Sequence, residues 1–353
     1  MVKLLHNAKK QKKDEFYTLR ADIEDELFYY RKYLKGKVVF CNCDDPEQSN
    51  FWHYLRANFD EFKLKKLIST HYKPSLLFED SEAYMKVYDG KKEEDADISG
   101  DGDFRSPECV KLLKESNVVI TNPPFSLFRD YVEQLMTHKK KFIIVGNMQA
   151  ITYKEIFPLI QENRLWLGAS GIGKEFKMSK DYVITSKSGR VDEEGNKYVT
   201  MPTACWFTNL KHNKRETKMI LGRSIKEDAE LYVKYDNYDA IEVSKVKNIP
   251  KDYDGVMGVP ISFLDKYNPD QFEILGATQR GCHDRVPDTK KYNDYWEMRP
   301  DGTETGSSGN KTNENANVEG IYKESNNYFV NKKGHVIQSK FGRLFIRNLE
   351  VEK

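Results

Sequence analysis

Residues 118–128 read Val-Val-Ile-Thr-Asn-Pro-Pro-Phe-Ser-Leu-Phe. Three branched apolar residues in a row, Val118, Val119 and Ile120, predict a short buried strand. Pro123 and Pro124 end it, because two adjacent prolines fix φ and remove two N–H donors. What remains is a stiff loop that offers the Asn122 side chain and main-chain carbonyls as hydrogen-bond acceptors, with the Phe125 ring beside them. Acceptors next to an aromatic ring suit a planar amine. On these residues alone, a plain Asn-Pro turn closing a strand is the alternative.

Upstream, Ile23, Leu27, Tyr30 and Leu34 recur at helical spacing and predict one buried stripe in a helix running from Asp14 onward. Lys37 to Cys43 reads as a strand, Phe51, Trp52, Leu55 and Phe59 as the buried face of a second helix, and Lys66 to Thr70 as another strand. A polar loop or hairpin follows to Asp101. Ser106 before Pro107 predicts a capped helix start, since Ser accepts from free N–H groups and Pro fits the first turn. Beyond the quoted stretch come a helix from Leu127 to Met136, a strand from Phe142 to Val145, a helix near Pro158 and a strand at Leu165 to Leu167.

This alternation predicts an α/β fold with a mainly parallel sheet covered on both faces. Residues 182–186 and 197–201, on either side of Asp192-Glu193-Glu194-Gly195-Asn196, predict a hairpin. With a strand at Ala204 to Thr208, it would form an antiparallel end to the sheet. Such sheets bind ligands beyond the carboxyl ends of their strands, where Asn122 sits. The first domain is placed at residues 1–210 and the second at 211–353, where the alternation fades into an irregular region. Pro300 to Asn317 has no large apolar residue and reads as a mobile loop, and Phe341 to Asn348 as a closing strand.

The 353 residues carry 57 Lys+Arg against 55 Asp+Glu. No run approaches the roughly 18 apolar residues that span a bilayer, and the N-terminus lacks a signal-peptide core, so membrane spanning and secretion are excluded. Five scattered cysteines (Cys41, Cys43, Cys109, Cys205 and Cys282) fit a reduced cytoplasm and no structural zinc, and no metal is expected. Two basic clusters stand out: Lys3, Lys9, Lys10, Lys12, Lys13 and Arg20 in the N-terminal arm, and Lys211, Lys214, Arg215, Lys218 and Arg223. Either could face a polyanion or be a solvated surface. Gly168-Ala169-Ser170-Gly171-Ile172-Gly173-Lys174-Glu175 nearly fits a nucleotide phosphate loop, but Glu175 replaces the hydroxyl residue that would ligate magnesium. An ATPase is rejected, and a flexible loop near the substrate cleft is expected instead.

The Asn122-Pro123-Pro124-Phe125 loop resembles the catalytic motif of adenine-N6 DNA methyltransferases, and the chain is more closely similar to the EcoRI-type family. That resemblance runs through Lys3-Leu4-Leu5-His6, Asp14-Glu15-Phe16-Tyr17-Thr18, Cys41-Asn42-Cys43-Asp44-Asp45-Pro46 and Gly100-Asp101-Gly102-Asp103-Phe104-Arg105-Ser106. It continues through Thr121 to Phe128, Tyr235-Asp236-Asn237-Tyr238-Asp239-Ala240-Ile241 and Asp254-Gly255-Val256-Met257-Gly258-Val259-Pro260-Ile261, covering most of residues 1–275. It implies a Rossmann-like methyltransferase fold and S-adenosyl-L-methionine as methyl donor. Asn122, Pro123, Pro124 and Phe125 would be catalytic, and Asn122 would also contact the donor. Glu15, Phe16, Tyr17 and Thr18 would reach the methionine end of the donor, Asn42, Asp44 and Asp45 would close the first strand beside it, and Asp103 and Phe104 would recognise its adenine. A helix cap before Pro46, a turn acid and a core Phe are the plainer readings of Asp44 or Asp45, Asp103 and Phe104. Two departures stand against the pattern. Asp44 to Asn50 contains no glycine, and Ser69-Thr70-His71 holds no acid for the ribose.

The implied partner is double-stranded DNA carrying a short site with a target adenine, which must rotate out of the stack to reach Asn122. The chain would then serve as the modification enzyme of a restriction-modification system, or as a solitary relative, in the cytoplasm of a prokaryotic or phage-infected cell, with a monomer among the states allowed. Trp206 or Phe207 could wall the extruded base, with core packing as the plainer role. The two basic clusters would meet phosphates. Gln279, Arg280 and Arg285 in the second domain are eligible to read base edges. The alternatives are methylation of RNA or protein glutamine on the same fold, or a non-catalytic DNA-binding relative.

Overall fold

Ile23, Leu27, Tyr30 and Leu34 are all wholly buried, shared among a helix, Arg20–Leu27, a 3-10 turn, Phe28–Tyr30, and a short helix, Arg31–Leu34. The helix starts at Arg20, later than expected, because the preceding residues are extended: β1 (Phe16–Thr18) pairs antiparallel with a later strand. The computed structural model describes residues 16–72, 83–278, 285–340 and 342–352. They fall into two units, Met1–Ala150 with Leu165–Asn213, and Ile151–Arg164 with Lys214–Lys353.

The first unit is a mixed α/β structure. Its strands continue with β2 (Val38–Cys41), β3 (Lys66–Thr70), β4 (Tyr84–Tyr88), β5 (Glu93–Asp97), β6 (Val118–Thr121), β7 (Lys141–Asn147) and β8 (Trp166–Leu167). After them come β9 (Lys174–Met178), β10 (Gly189–Val191), β11 (Lys197–Met201) and β12 (Ala204–Thr208). Eight form one sheet in the order β5-β4-β3-β2-β6-β7-β12-β8. Only β3, β2, β6 and β7 run parallel to one another. The expectation of a mainly parallel sheet with one antiparallel end is therefore corrected at one edge only: both edges are antiparallel, the one at β12 as expected and the one at β4 and β5 in addition. On one side, the Asp89 carboxylate accepts from the N–H groups of Lys91 and Lys92, tying a turn too short for anything but an antiparallel β4–β5 pair. On the other, β12 runs antiparallel to β7 and β8.

The helices that cover this sheet form where the pattern placed them. Ser49 accepts from Phe51 N to open Asn50–Ala57, and Ser106 accepts from Cys109 N to open Pro107–Glu115. Phe128–Thr137 buries Phe128, Tyr131, Val132 and Leu135 at spacings of three, one and three.

The predicted hairpin is corrected in both register and place. Its first arm is Gly189–Val191, because a turn at 192–196 obliges Val191 to pair with Lys197; residues 182–186 lie too far along to be that partner. Asp192 ties the turn by accepting from Glu194 N and Asn196 N. The hairpin belongs to a separate four-stranded antiparallel sheet, β1-β9-β11-β10, and not to the end of the large one.

The second unit is built on strands. β13 (Val233–Lys234), β14 (Ile241–Glu242), β15 (Met257–Pro260) and β16 (Phe272–Ala277) share one five-stranded sheet with the last strand. β17 (Tyr295–Met298), β18 (Glu304–Ser308), β19 (Ala316–Glu319), β20 (Tyr328–Asn331) and β21 (Val336–Lys340) form another. β22 (Arg343–Asn348) is the closing strand that its apolar residues predict. The expected mobile loop at Pro300 to Asn317 is corrected: it contains β18, a 3-10 segment and the start of β19. Two of its polar residues, Thr312 and Asn317, are buried with partners of their own: Asn317 Oδ1 accepts from Thr312 Oγ1 at 2.6 Å, and the main-chain N of Asn317 donates to Asn237 Oδ1 at 2.9 Å. Low apolar content misleads where polar groups satisfy one another.

Candidate active site

Adjacent parallel strands bring their carboxyl ends together, so the residues after β2 and β6 meet. Thr121 Oγ1 accepts from Cys43 N at 3.2 Å and donates to Asp44 Oδ2, which also accepts from Asn122 N at 3.3 Å. Burial outweighs these bonds and pushes the Asp44 carboxyl up to about 7. Ser69 Oγ, at the end of β3, donates to Asp44 O at 2.7 Å.

Asn122 is fixed from the opposite side. Its Nδ2 donates to the Phe16 carbonyl at 2.6 Å, and its Oδ1 is buried with no hydrogen-bond partner. A carbonyl oxygen can only accept, so the amide faces it through nitrogen and turns its oxygen away. The Phe125 ring stacks on Phe16 at 5.9 Å between centroids and 10° between planes, and meets Phe176 edge-on at 6.3 Å. Phe176 was missed in the sequence, where nothing links it to the Phe125 ring that it meets in the fold. Trp206 and Phe207, the other candidate walls, are buried in β12 against Phe51 and Phe128, so core packing is their role.

Thr18 Oγ1 and Asn42 Nδ2 are likewise buried without a partner. Tyr17 OH donates to Gln48 Oε1 at 3.1 Å, and Glu15 lies outside the described residues. Asp45 accepts from Glu47 N at 2.9 Å, Tyr84 OH at 2.7 Å and Gln48 Nε2 at 3.2 Å, with His71 Nδ1 3.7 Å away. Asp45 thus ties the turn after β2 by side-chain acceptance, which is how that turn forms without glycine. Asp103 is gripped by Arg105 at 2.8 and 2.7 Å, which holds its carboxyl below the usual range. The loop before it needs Gly102: φ is +73° and a Cβ would sit 2.3 Å from His71 O. Phe104 is buried edge-on against Tyr131 at 5.0 Å.

A family model described as adenine-specific methyltransferase EcoRI matches residues 4–349, which includes this whole strand-end cluster. The chain belongs to the EcoRI-type adenine-specific methyltransferases. It is 50% identical to the type II methyltransferase M.EcoRI of Escherichia coli over 288 residues, 77% of this chain and 88% of that one. It is 40% identical to the type II methyltransferase M.MpnI of Mycoplasma pneumoniae over 273 residues, 76% of this chain and 84% of that one. A third type II methyltransferase, from Mycoplasma genitalium, is 37% identical over 274 residues, again 76% and 84%. No solved structure matches. The chain is thus an adenine-specific DNA methyltransferase of the restriction-modification kind.

In this EcoRI-type methyltransferase the phosphate-loop look-alike is filled by an internal acid. Glu26, wholly buried, accepts from Ala169 N at 2.8 Å and Ser170 N at 2.7 Å, as well as from Tyr30 OH at 2.8 Å. A Cβ at Gly168 would sit 2.2 Å from Glu26 Oε1. Lys174 Nζ turns inward to Ser170 O at 3.2 Å and lies 3.5 Å from Asp22. The loop is a clamped lead-in to β9 and Phe176, which corrects the expectation of a flexible segment.

The second basic cluster is largely balanced by its own neighbours. Lys214 pairs with Asp265 at 2.6 Å, Lys218 with Glu350 and Arg223 with Asp228 at 3.0 Å. Arg215 lies over the Tyr267 ring, and burial draws its guanidinium down to about 10. Arg285 pairs with Glu273 at 2.6 Å. The lysines of the N-terminal arm, Gln279, Arg280 and Cys282 lie outside the described residues. Among the described residues no helix is long and apolar enough to cross a membrane, and no three histidine, cysteine or carboxylate side chains gather into a cation site.

Proposed function

We propose that this methyltransferase modifies N6 of an adenine turned out of duplex DNA, with S-adenosyl-L-methionine as donor and Asn122 to Phe125 at the reacting centre. When bound, that donor supplies an electrophilic methyl group on a charged sulfur. An aromatic amine is a poor nucleophile because its lone pair is delocalised into the ring. Asn122 Oδ1 and the Pro123 carbonyl accept its two hydrogens, draw the nitrogen towards tetrahedral geometry and localise that pair. The same oxygens offset the positive charge that grows on the nitrogen as its bond to the methyl carbon forms and the carbon–sulfur bond breaks; the sulfur leaves as a neutral thioether and the nitrogen gives up one proton to water. Phe125 offers the base a stacking face, braced from behind by Phe16 and Phe176. Positioning supplies most of the rate, with no covalent enzyme intermediate.

The observation that carries this reading is the buried, partnerless Asn122 Oδ1, oriented by the bond from its own Nδ2 to Phe16 O. Thr18 Oγ1 and Asn42 Nδ2, also buried and unmatched, fit a donor molecule with both acceptors and hydrogen donors. The ribose hydroxyls would meet Tyr84, His71 and the Asp45 turn in place of a strand-end acid. Base reading belongs to the second unit and phosphate contact to the N-terminal arm. The test is transfer of labelled methyl from S-adenosyl-L-methionine to plasmid DNA, followed by mapping of modified adenines. Asn122→Ala should abolish transfer while donor and DNA binding persist; unchanged turnover would remove Asn122 from the chemistry.

A further inference from the structure

Two amides, each with one buried atom that lacks a partner, stand at neighbouring strand ends, and their hydrogen bonding is opposite. Asn122 ties its nitrogen and leaves an acceptor, whereas Asn42 ties its oxygen and leaves a donor. Asn42, just past β2, receives the Tyr131 hydroxyl on Oδ1, with the Cys43 thiol 4.0 Å from the same oxygen. Burial pushes both Tyr131 and Cys43 up, so both keep their protons and act as donors. An amide turns over at small intrinsic cost, so its neighbours choose its orientation. Two donors on one oxygen select it, and Nδ2 is left buried without a partner. Tyr131 is itself wholly buried on the helix Phe128–Thr137, which follows directly from the catalytic loop, and its ring meets Phe104 edge-on.

We propose that Tyr131 is a positioning residue for the methyl donor: by holding Asn42 Oδ1 it fixes Asn42 Nδ2 as a hydrogen-bond donor to an acceptor atom of that molecule. The proposal rests on the reading of this cluster as the S-adenosyl-L-methionine site. It gives the helix after the catalytic loop a direct hold on the donor-binding strand end. The phenol acts through Asn42 and does not touch the reacting atoms.

Removing one oxygen atom tests it. Calorimetric titration of the DNA-free full chain with S-adenosyl-L-methionine should show Tyr131→Phe binding about 5- to 20-fold more weakly, with the KM for that donor, measured at saturating plasmid DNA, rising in step and kcat within twofold. Asn42→Ala should weaken binding at least as much, and adding Tyr131→Phe to it should weaken binding no further, because the phenol then has nothing to hold. Affinity within twofold of the parent in Tyr131→Phe, or losses that multiply in the double variant, would overturn the proposal. If Tyr131→Phe loses its cooperative thermal transition, Asn42→Asp takes its place. That carboxylate still accepts from Tyr131 but has no Nδ2, so binding should fall with the fold intact, and retained affinity would again overturn the proposal. Failure of the unsubstituted chain to bind the donor at all would count against the assignment of the site, and is thereby distinguished.

Discussion

At the scale of single residues, the site depends on which end of an amide faces which neighbour. Asn122→Asp is nearly isosteric, yet its carboxylate has no hydrogen to give Phe16 O. It is expected to lower kcat on the order of 100-fold, as loss of one oriented polar group at a developing charge does, while donor affinity by calorimetry stays within threefold. Asp44 gives a pH signature. Its carboxyl is raised from the ordinary 3.8 to about 7, so between those values the folded chain holds a proton that the unfolded chain has lost. The stability this confers is full at low pH and disappears as pH rises through about 7. Urea unfolding of the donor-free protein should therefore lose on the order of 2 kcal/mol from pH 5 to pH 8, and Asp44→Asn should flatten that slope. Asn122 and its prolines were legible in the sequence because proline rigidity acts locally. Tyr131, Phe176 and Glu26 were not, since each acts on a partner 89, 51 or 143 residues away or thereabouts, and spacing along a chain carries no such information.

Among the elements, β1 is three residues long yet carries Phe16 O to Asn122 and presents Thr18, so whatever holds β1 holds the site. It is held by β9, and β9 by the loop clamped on Glu26. Gly168→Ala would drive a methyl group to 2.2 Å from Glu26 Oε1 and 2.4 Å from Trp206 Cβ. Overpacking of this kind is expected to cost about 3 kcal/mol by urea unfolding. Gly222→Ala, where a Cβ meets nothing within 4 Å, should change stability by less than about 0.5 kcal/mol. Most strands and helices of the first unit were legible because a buried face imposes a period. The hairpin was not: its first arm, Gly189–Val191, is only three residues, and two of them are exposed, so the longer apolar-rich run at 182–186 drew the assignment.

For the molecule as a whole, the lysine-rich arm and the split second unit make separate predictions. Deleting residues 1–13, which carry five lysines, should weaken DNA binding and reduce the slope of log K against log salt by about one for each phosphate that the arm neutralises. An unchanged slope would show the arm plays no part. Ile156, Phe157 and Ile160 are buried within the second unit, where Gln161 Nε2 donates to Leu275 O at 3.0 Å. A chain stopped at residue 213 bares that apolar segment and should aggregate by light scattering, and replacing 151–164 by a Gly/Ser linker should restore a monodisperse species. This partition was invisible in the sequence, where Phe157 to Gln161 simply looks like the next helix of the alternation. The segment emerges from the ribosome well before β16, at 272–277, has been made. At ordinary translation speed that leaves its apolar face waiting on the order of ten seconds. Newborn chains therefore offer a chaperone a defined window of capture, and synonymous codons between 165 and 277 set how long it stays open.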